Sequence, residues 1–373
     1  RLRVLHLNAG NETGGGMHHI LNLLSQFDPS EVILGLFEKG EMYDRAIKLG
    51  IPTILFEQRN QKDLTVLPKL VKYIKKEKLS FIHTHGPRAT FFMSLIKKFI
   101  DQPLITTIHS NPCDDFLGKG LKGKLCYLMY KASFNYVDHF IVVSTAFKKV
   151  MKNKFKIRED KISVILNGID FNLNNSAYTK RELGFSENDF LILMAARLEP
   201  VKQHHLALES FRKVLQTFAN AKLILVGDGS CRKRIEDYIE TNSLQQSVYL
   251  FGHRDDLQKI FPTVDLILLT SKSESFPLVL LEAARAKVPI VTTNVGDVSK
   301  LIPSSDYGWI VTDVESNRIA NAIQEAIISK ENKEIDKMTF KLFQYASNQF
   351  SLKHFHNSVR QIYKGLQGYA KMN

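Results

Sequence analysis

The sequence predicts an α/β protein built from two doubly wound, parallel-sheet domains. Short apolar, β-branched runs alternate with longer amphipathic segments along almost the whole chain, which is typical of βα units. A polar, turn-rich and strand-poor segment, residues 171–190, separates two such series. The length of 373 residues is enough for two domains of ordinary size. We therefore expect one domain over residues 1–170 and a second over residues 171–351.

The first half begins with a strand predicted over residues 2–7, followed by a glycine-rich turn and a helix in MHHILNLLSQF. A glycine turn that enters a helix is typical of a phosphate site, although a turn without a ligand fits equally well. Further strands are predicted in EVILGLF, PTILF, FIHTH, LITTIH and HFIVVS. Helical segments lie between them, so a parallel sheet covered on both faces is expected.

The second half repeats this alternation. Strands are predicted in FLILMAA, AKLILVG, VYLFG, VDLILL, PIVTT and GWIV, with helices in HLALESFRKVLQTF and CRKRIEDYIETN. The tail over residues 352–369 is amphipathic, because its apolar residues fall at helical spacing. These residues are Phe355, Val359, Ile362, Tyr363 and Leu366.

Composition favours a folded protein of a reducing compartment. Hydrophobic residues make up 44% of the chain and charged residues 24%, which excludes a disordered protein. The three cysteines show neither a disulfide framework nor a metal pattern, so we expect a cytoplasmic location. No apolar run approaches the roughly 18 residues of a membrane span. The opening RLRVLHL reads as a strand rather than a signal peptide.

The net charge of +13 is concentrated in the first half. Residues 1–168 hold 26 Lys and Arg against 15 Asp and Glu, whereas the remainder holds 25 against 23. This asymmetry predicts an acidic partner, such as an anionic membrane surface, a phosphorylated acceptor or nucleic acid. The segments FLGKGLKGKLCYLMYK and KKVMKNKFKIR mix basic and apolar residues, which suits a membrane interface or solvated helix faces. No nucleic-acid module or stacking pattern is visible, so no nucleic-acid partner is expected.

A strand, a polar loop and a helix are predicted around residues 264–288. Pro277 is expected in the first turn of a helix over residues 278–287, because that position needs no N–H group. A helix N-terminus favours an anion, with Phe276 and Leu278 as backbone donors. Glu274 lies in the loop and Glu282 in the second turn, roughly 7 Å further along the axis. One ligand with a phosphate and hydroxyl groups fits this layout, and so do two unrelated solvated carboxylates.

Other candidate residues follow predicted strands, where open α/β sheets bind ligands. Arg197 and Lys202 follow FLILMAA, and two fixed cations can neutralise a diphosphate leaving group in place of a metal. His109 follows LITTI, and the alternative is a buried histidine bonded to its neighbours. GDGS lacks the Lys-Ser/Thr of a P-loop, which argues against NTP hydrolysis. Asp114 and Asp115 have no third ligand in view, so we expect no metal and no cofactor.

Five motifs together resemble one enzyme family. Glu274 and Glu282 form E-x7-E within ESFPLVLLEA, and GGGMHH, NGID, ARLEPVKQH and GDG occur in the matching order. The chain resembles, over nearly its whole length, the retaining glycosyltransferases of the GT-B fold, family 4 or group 1 type. The resemblance implies two facing Rossmann-like domains with a cleft between them, the donor mainly on the second and the acceptor mainly on the first. It also implies a C-terminal helix, residues 352–373, packed back on the first domain.

The resemblance implies roles for single residues. Catalytic roles fall on His109, Glu274, Arg197 and Lys202. Roles in binding the nucleotide sugar fall on Gly14, Gly15, Gly16, Gly227, His253, Arg254, Ser275, Phe276, Pro277, Leu278 and Glu282. In this scheme Glu282 binds the ribose hydroxyls, and the segment from Glu274 to Pro277 holds the sugar and its phosphate.

The expected function is retaining transfer of a sugar from a nucleotide-diphosphate sugar, with UDP favoured over GDP. The acceptor expected is a glycan, a lipid-linked sugar or a polysaccharide. The enzyme is expected in the cytoplasm, or peripheral on the inner face of the membrane, with an anionic membrane surface as a partner of its basic half. Two alternatives remain: a sugar-nucleotide epimerase of the same fold, and a non-catalytic nucleotide-binding protein of the membrane surface.

Overall fold

A computed structural model describes the backbone of residues 1–372 and the side chains of residues 1–368. The chain forms two compact units. One holds Arg1–Asn167 together with the chain from Leu352 onward, and the other holds Gly168–Ser351. The division between Asn167 and Gly168 lies three residues before the boundary predicted at residue 170. The last residue of the predicted tail helix, residue 373, lies outside the described residues.

The first unit contains a seven-stranded sheet in the order β3-β2-β1-β4-β5-β6-β7. Its strands are β1 Val4–Asn8, β2 Val32–Leu36, β3 Thr53–Leu55, β4 Phe81–His85, β5 Leu104–Ile108, β6 His139–Val142 and β7 Ile162–Val164. All neighbouring pairs are parallel. The chain runs outward from β1 in one direction and from β4 in the other, so a topological switch point lies between β1 and β4.

Helices cover both faces of this sheet. They are α1 Gly15–Leu24, α2 Glu41–Lys48, α3 Val66–Lys76, α4 Pro87–Ile96, α5 Gly120–Ser133 and α6 Thr145–Asn153. Successive strand residues point to opposite faces, so Val4 belongs to one apolar cluster and Leu5 to another. Phe81 and Ile82 on the adjacent β4 divide in the same way. The sheet is therefore buried on both sides, which explains its nearly continuous apolar strands.

The second unit contains a six-stranded parallel sheet in the order β10-β9-β8-β11-β12-β13. Its strands are β8 Phe190–Ala195, β9 Ala221–Val226, β10 Val248–Gly252, β11 Leu266–Leu269, β12 Ile290–Thr293 and β13 Trp309–Val311. Its helices are α7 His204–Leu215, α8 Arg232–Thr241, α9 Leu257–Ile260, α10 Leu278–Arg285, α11 Val298–Leu301, α12 Ser316–Glu331 and α13 Ile335–Gln349. The switch point lies between β8 and β11.

The C-terminal helix α14, Leu352–Met372, belongs to the first unit. Phe355, Val359 and Tyr363 are buried in the apolar cluster that also contains residues of α1. Arg360 donates to both carboxylate oxygens of Glu31, at 2.7 and 2.8 Å, which fixes the helix beside the start of β2. Among the helices that the structure describes, none is both long enough and apolar enough to cross a membrane.

The helix after β11 begins at Leu278 as predicted, but it differs from the prediction in the place of Pro277 and in its last residue. Pro277 lies outside the first turn and is the residue just before α10, with φ −72° and ψ 118°. That ψ is extended rather than helical, so the first turn begins at Leu278. The helix ends at Arg285 instead of residue 287, because Lys287 adopts a left-handed φ of 57°.

Candidate active site

The predicted residues of the second unit meet at the switch point of its sheet. Arg197 and Lys202 follow β8, and Glu274 follows β11, the strand that pairs with β8. In open parallel sheets the crevice for a ligand lies outside the carboxyl ends of the strands at this point. The topology therefore brings together residues that are more than 70 positions apart in the chain.

Lys202 and Glu274 form an ion pair at this place. The Lys202 ammonium donates to Glu274 Oε1, and the Ser271 hydroxyl donates to the same oxygen at 2.7 Å. The two charged side chains are only 17% and 13% exposed, so solvent screens them less than a surface pair. Thr270 Oγ1 donates to the Lys202 carbonyl at 2.9 Å and holds the loop against β11. The Arg197 side chain is exposed and makes no ion pair with any residue that the structure describes.

The segment between Glu274 and α10 is held in place by its neighbours. Phe276 is 6% exposed and packs on Phe350, with ring centroids 5.0 Å apart. The Asp297 N–H donates to the Ser275 carbonyl at 2.9 Å. A Cβ on Gly296 would lie 2.2 Å from that same carbonyl oxygen, so only glycine permits this close approach. The backbone of the predicted sugar-binding segment is therefore fixed from the side of β12.

Helix α10 presents an open N-terminus and a desolvated carboxyl group. Among the described residues no side chain caps the first turn of α10, and the Leu280 N–H donates to the Pro277 carbonyl, so the N–H groups of Leu278 and Val279 stay available to an anion. Glu282 follows one turn later, and burial raises the pKa of its carboxyl group, against a smaller opposite effect of Arg285. The Arg285 guanidinium donates to the Asp170 carbonyl at 3.0 Å. Glu282 thus needs a hydrogen-bond donor to stabilise its charged form.

Gly227 directly follows β9 and contacts the residue after β8 and the last residue of β10. This residue has φ +134°, and a Cβ there would lie 2.1 Å from the Ala196 carbonyl oxygen. Its N–H donates to the Gly252 carbonyl at 2.8 Å. Close packing alone therefore requires glycine at position 227. The family resemblance implies a ligand contact at the same residue.

His253 and Arg254 follow β10 and are engaged with acidic neighbours. The exposed His253 ring lies 2.9 Å from an Asp255 oxygen. Arg254 donates through two nitrogens to Asp256, at 2.8 Å each, and lies over the Phe251 ring. The arginine side chain is thus committed to a salt bridge, which leaves the backbone of this segment as the part free to meet a ligand.

In the first unit the glycine turn follows β1 at the other switch point. Gly14 has φ +76° and precedes α1, which begins at Gly15. A Cβ on either glycine would meet nothing within 4 Å, whereas one on Gly16 would lie 2.8 Å from a Glu12 oxygen. The N-terminus of the ten-residue helix α1 therefore opens onto free space, as a phosphate site requires.

His109 directly follows β5 in the first unit. Its ring meets His19 of α1 edge to face, with centroids 4.5 Å apart, and His19 is hydrogen-bonded to the Asn167 side chain. His109 Nε2 is 3.1 Å from His85 Nδ1. Burial, with a smaller contribution from His19, holds the pKa of His109 well below its usual value. The imidazole is therefore neutral at physiological pH.

Sequence reasoning missed a cavity of about 570 Å³ in the first unit. Its wall combines apolar and charged residues, among them Phe91, Phe116, Glu12, Arg88, Lys119 and Lys122. Burial raises the pKa of the Glu12 carboxyl group, and the nearby Asp115 adds to this effect. The only signal in the sequence was the position of these residues after β1, at the start of α4 and around the start of α5.

Comparison with known proteins matches each half of the chain to a family model. Residues 13–173 match the family model described as Glycosyltransferase Family 4, and residues 175–339 match the model described as Glycosyl transferases group 1. The chain belongs to these glycosyltransferases. Membership of this family makes it an enzyme of the glycosyltransferase class.

The relatives of this glycosyltransferase are distant in sequence. It is 25% identical over 237 residues to the uncharacterized glycosyltransferase MJ1059 of Methanocaldococcus jannaschii, covering 61% of this chain and 58% of that protein. It is 24% identical over 326 residues to the Escherichia coli UDP-Gal:alpha-D-GlcNAc-diphosphoundecaprenol alpha-1,3-galactosyltransferase, covering 84% of this chain and 82% of the relative.

Solved structures confirm the fold predicted from the sequence. Anabaena Alr3699/HepE in complex with UDP matches with a TM-score of 0.82 and 20% identity, covering 98% of this chain and 100% of that one. The same protein in complex with UDP-glucose matches with a TM-score of 0.78. The glycosyltransferase therefore has the GT-B fold class, with two Rossmann-like parallel-sheet domains.

Proposed function

We propose that this glycosyltransferase moves a sugar from a UDP-sugar to a glycan or lipid-linked acceptor, with retention of the anomeric configuration. The observation that carries the proposal is the Lys202–Glu274 pair at the switch point of the second unit, beside the open start of α10. The names of the relatives support the choice of UDP, because the E. coli relative is named for UDP-Gal and Alr3699/HepE was solved with UDP and UDP-glucose.

In this proposal the donor is held mainly by the second unit. The diphosphate lies at the N-terminus of α10, with the ammonium of Lys202 and the guanidinium of Arg197 as its counter-charges. Glu282 accepts from the ribose hydroxyls, which supply the donors that its desolvated carboxylate needs. Lys202 donates to Glu274 Oε1, and the other carboxylate oxygen, Oε2, accepts hydrogen bonds from hydroxyls of the sugar.

The proposed chemistry breaks the bond between the anomeric carbon and the diphosphate oxygen. Negative charge builds on the departing diphosphate, so the two cations and the helix dipole stabilise the transition state more than the bound donor. The acceptor hydroxyl attacks the face that the diphosphate leaves and transfers its proton to a diphosphate oxygen. This same-face attack retains the anomeric configuration, and the cations make a metal ion unnecessary.

The acceptor site proposed is the 570 Å³ cavity of the first unit. Its apolar wall suits a lipid or a sugar face, and Arg88, Lys119 and Lys122 offer positive charge to a phosphate. Glu12 offers an acceptor for a sugar hydroxyl, since one of its oxygens is buried with no hydrogen-bond partner among the described residues. A phosphate-linked, lipid-anchored sugar combines all of these features.

Helix α5, which lines that cavity, carries an apolar face toward solvent. Leu121, Leu125 and Leu128 follow the i, i+4, i+7 spacing of one helix face and are 85%, 59% and 58% exposed. Lys122 and Lys124 are interspersed with this leucine face. A solvent-facing apolar stripe flanked by lysines is suited to bind an anionic bilayer, with the leucines in the interface and the lysines near the lipid headgroups. We therefore propose a peripheral enzyme of the cytoplasmic membrane face, docked through the leucine face of α5.

A panel of UDP-sugars and GDP-sugars tests the proposed reaction. We expect UDP-sugars to raise the melting temperature and to release UDP only when an acceptor is present, with the product anomer of the donor configuration by NMR. Lys202→Met should abolish the release, whereas Lys213→Met should not, because Lys213 pairs with Glu209 on α7. Conversion of one nucleotide sugar into another would establish an epimerase instead, and a thermal shift without release would establish a binding protein.

A further inference from the structure

A row of buried histidines lies behind His109 in the first unit. His6 on β1 and His83 and His85 on β4 are all 0% exposed. His6 and His83 are register partners in neighbouring strands, and His85 pairs in register with Thr107 of β5. No carboxylate contacts these rings among the described residues. Burial lowers the pKa of His6 to about 3 and holds those of His83 and His85 well below the usual value.

These rings are joined into one line of hydrogen bonds, here called the imidazole chain. Its members, in order, are Thr107, His83, Tyr363, His6, His85 and His109. Thr107 Oγ1 is 2.7 Å from His83 Nε2, and His83 Nδ1 is 2.5 Å from the Tyr363 hydroxyl of α14. That hydroxyl is 3.3 Å from His6 Nε2.

The second part of the imidazole chain reaches the candidate active site. His6 Nδ1 is 3.0 Å from His85 Nε2, and His85 Nδ1 is 3.1 Å from His109 Nε2. Each inner ring thus uses both of its nitrogens within the chain. A neutral imidazole has one N–H donor and one acceptor nitrogen, so every ring must accept on one side and donate on the other. The Tyr363 hydroxyl is 0% exposed and has no partner other than His83 and His6 among the described residues, so it must donate its proton to one of these rings and accept from the other. Two arrangements of protons then satisfy all five hydrogen bonds, one the reverse of the other.

Thr107 decides between the two arrangements. Its side chain is 2% exposed, and its hydroxyl has no hydrogen-bond partner other than His83 in the part of the chain that the structure describes. If His83 donated to Thr107, the hydroxyl proton would be buried without an acceptor, which is costly. Thr107 therefore donates to His83, and each following bond runs in the same direction. His109 consequently accepts at Nε2 and carries its own proton on Nδ1.

We propose that the imidazole chain fixes His109 as its Nδ1–H tautomer, with Thr107 and Tyr363 as positioning residues. His109 then offers a neutral N–H donor at the end of β5. An N–H group at this place can donate to a hydroxyl oxygen of a sugar, a contact that rests on the proposed function. The tautomer itself follows from the hydrogen bonds alone, so it can be tested separately.

The same cluster has a second chemical interpretation. Ligand nitrogens of His6, His83 and His85 lie within 4.8 Å of one another, which is compatible with a metal ion. A metal would need a lone pair from each ring, whereas the hydrogen bonds of the imidazole chain already engage those nitrogens. Elemental analysis of the purified protein separates the two, and stoichiometric zinc or another transition metal would overturn the proposal.

The direct test is the tautomer of His109 in 15N-histidine-labelled protein, read from two-bond 1H–15N correlations. The His109 signals are assigned by their loss in His109→Gln. We expect the proton of His109 on Nδ1, and the same for His6, His83 and His85. Tyr363→Phe removes the hydroxyl that joins two rings and should shift His109 toward its Nε2–H form. A wild-type protein with its His109 proton on Nε2 would refute the proposal.

Two further variants keep the test decisive. Thr107→Val breaks the opposite end of the imidazole chain and should also release the tautomer, which covers the case that Tyr363→Phe does not fold. Tyr73→Phe, on a half-buried tyrosine of α3 that packs on Phe56, is the matched control and should change nothing. An unchanged His109 tautomer in folded Thr107→Val or Tyr363→Phe protein would refute the chain.

Kinetics add a readout that separates this inference from the proposed function. With an active donor and acceptor pair, both chain variants should lower kcat about tenfold with little change in KM, as expected for one misplaced hydrogen bond. If no sugar transfer is found with any donor, the proposed function fails while the NMR result still stands. If transfer occurs and the tautomer is wrong, only the imidazole chain fails.

Discussion

Removal of the Lys202 ammonium should have two effects that can be separated. Lys202 is paired with Glu274, and both side chains are less than one fifth exposed. Lys202→Ala removes a proposed counter-charge of the diphosphate, and among the described residues it leaves the Glu274 carboxylate with only the Ser271 hydroxyl as a partner. The variant should therefore lose turnover through the first effect and stability through the second.

The two magnitudes follow from the burial of the pair. A fully buried ion pair costs about 3–5 kcal/mol when one partner is removed, and an exposed pair less than about 1 kcal/mol. For this partly screened pair, with the Ser271 bond retained, we expect a loss of about 2 kcal/mol in the free energy of unfolding. Loss of one cation from the leaving group typically costs about 3 kcal/mol of transition-state stabilisation, or about 100-fold in kcat.

A double-mutant cycle distinguishes the two effects. Urea unfolding and acceptor-dependent UDP release are measured for Lys202→Ala, Glu274→Gln and the double variant. The neutral amide no longer leaves a buried charge unpaired, so the double variant should regain most of the stability that Lys202→Ala loses. Its kcat should stay at least about 100-fold below wild type, because the counter-charge is still missing.

Recovery of turnover together with stability would refute this reasoning. It would mean that Lys202 acts only by holding the loop, and that the leaving group finds its positive charge elsewhere. Normal turnover in a folded Lys202→Ala variant would have the same consequence. In either case the diphosphate site proposed at the start of α10 would have to be abandoned.

Two other expectations concern the ribose and the membrane. Burial raises the pKa of the Glu282 carboxyl group, so the ionised form is disfavoured in the folded protein. The contribution of this group to the free energy of unfolding is therefore present at low pH and is lost as the pH rises through the raised pKa. UDP, which needs the carboxylate, should therefore bind more weakly as pH falls toward this pKa, and isothermal titration of Glu282→Gln should show a lower affinity without that pH dependence. Changing Leu121 and Leu125 of α5 together to Ser should weaken sedimentation with vesicles containing phosphatidylglycerol at least about tenfold, whereas Leu64→Ser, at another exposed leucine, should not. Equal binding by both would exclude the leucine face.

The fold was largely predictable because its signals are local. Each strand of the second unit was visible as an apolar run, and the alternation with helices required parallel pairing. The short strand β7 was missed, since three residues carry too little pattern. Pro277 was misplaced by one position because its sequence context fits both a first turn and a residue before it, and only the ψ of 118° decides.

The site was predictable in its location but not in its contacts. Positions after strands indicate which edge of a sheet a residue occupies, so Arg197, Lys202 and Glu274 could be assigned to one end of the second unit. That Lys202 would pair with Glu274 depends on the order of β8 and β11 in the sheet, which a single sequence does not contain. The partners of His109 could not be predicted for the same reason, because His19 and His85 come from distant segments.

The surroundings of Glu274 and of His109 differ in charge, and this difference limits which residue can accept a proton in the proposed reaction. Around Glu274 a cation, a carboxylate and a hydroxyl lie within hydrogen-bond distance, so charge that develops there meets fixed counter-charges. Around His109 the neighbours are neutral imidazoles whose protonation is opposed by burial and by one another. A proton placed on His109 would therefore be unstable, so His109 is poorly suited to be the general base for the acceptor hydroxyl. In the proposed reaction that proton goes instead to the departing diphosphate, and the role proposed for His109 is that of a neutral N–H donor.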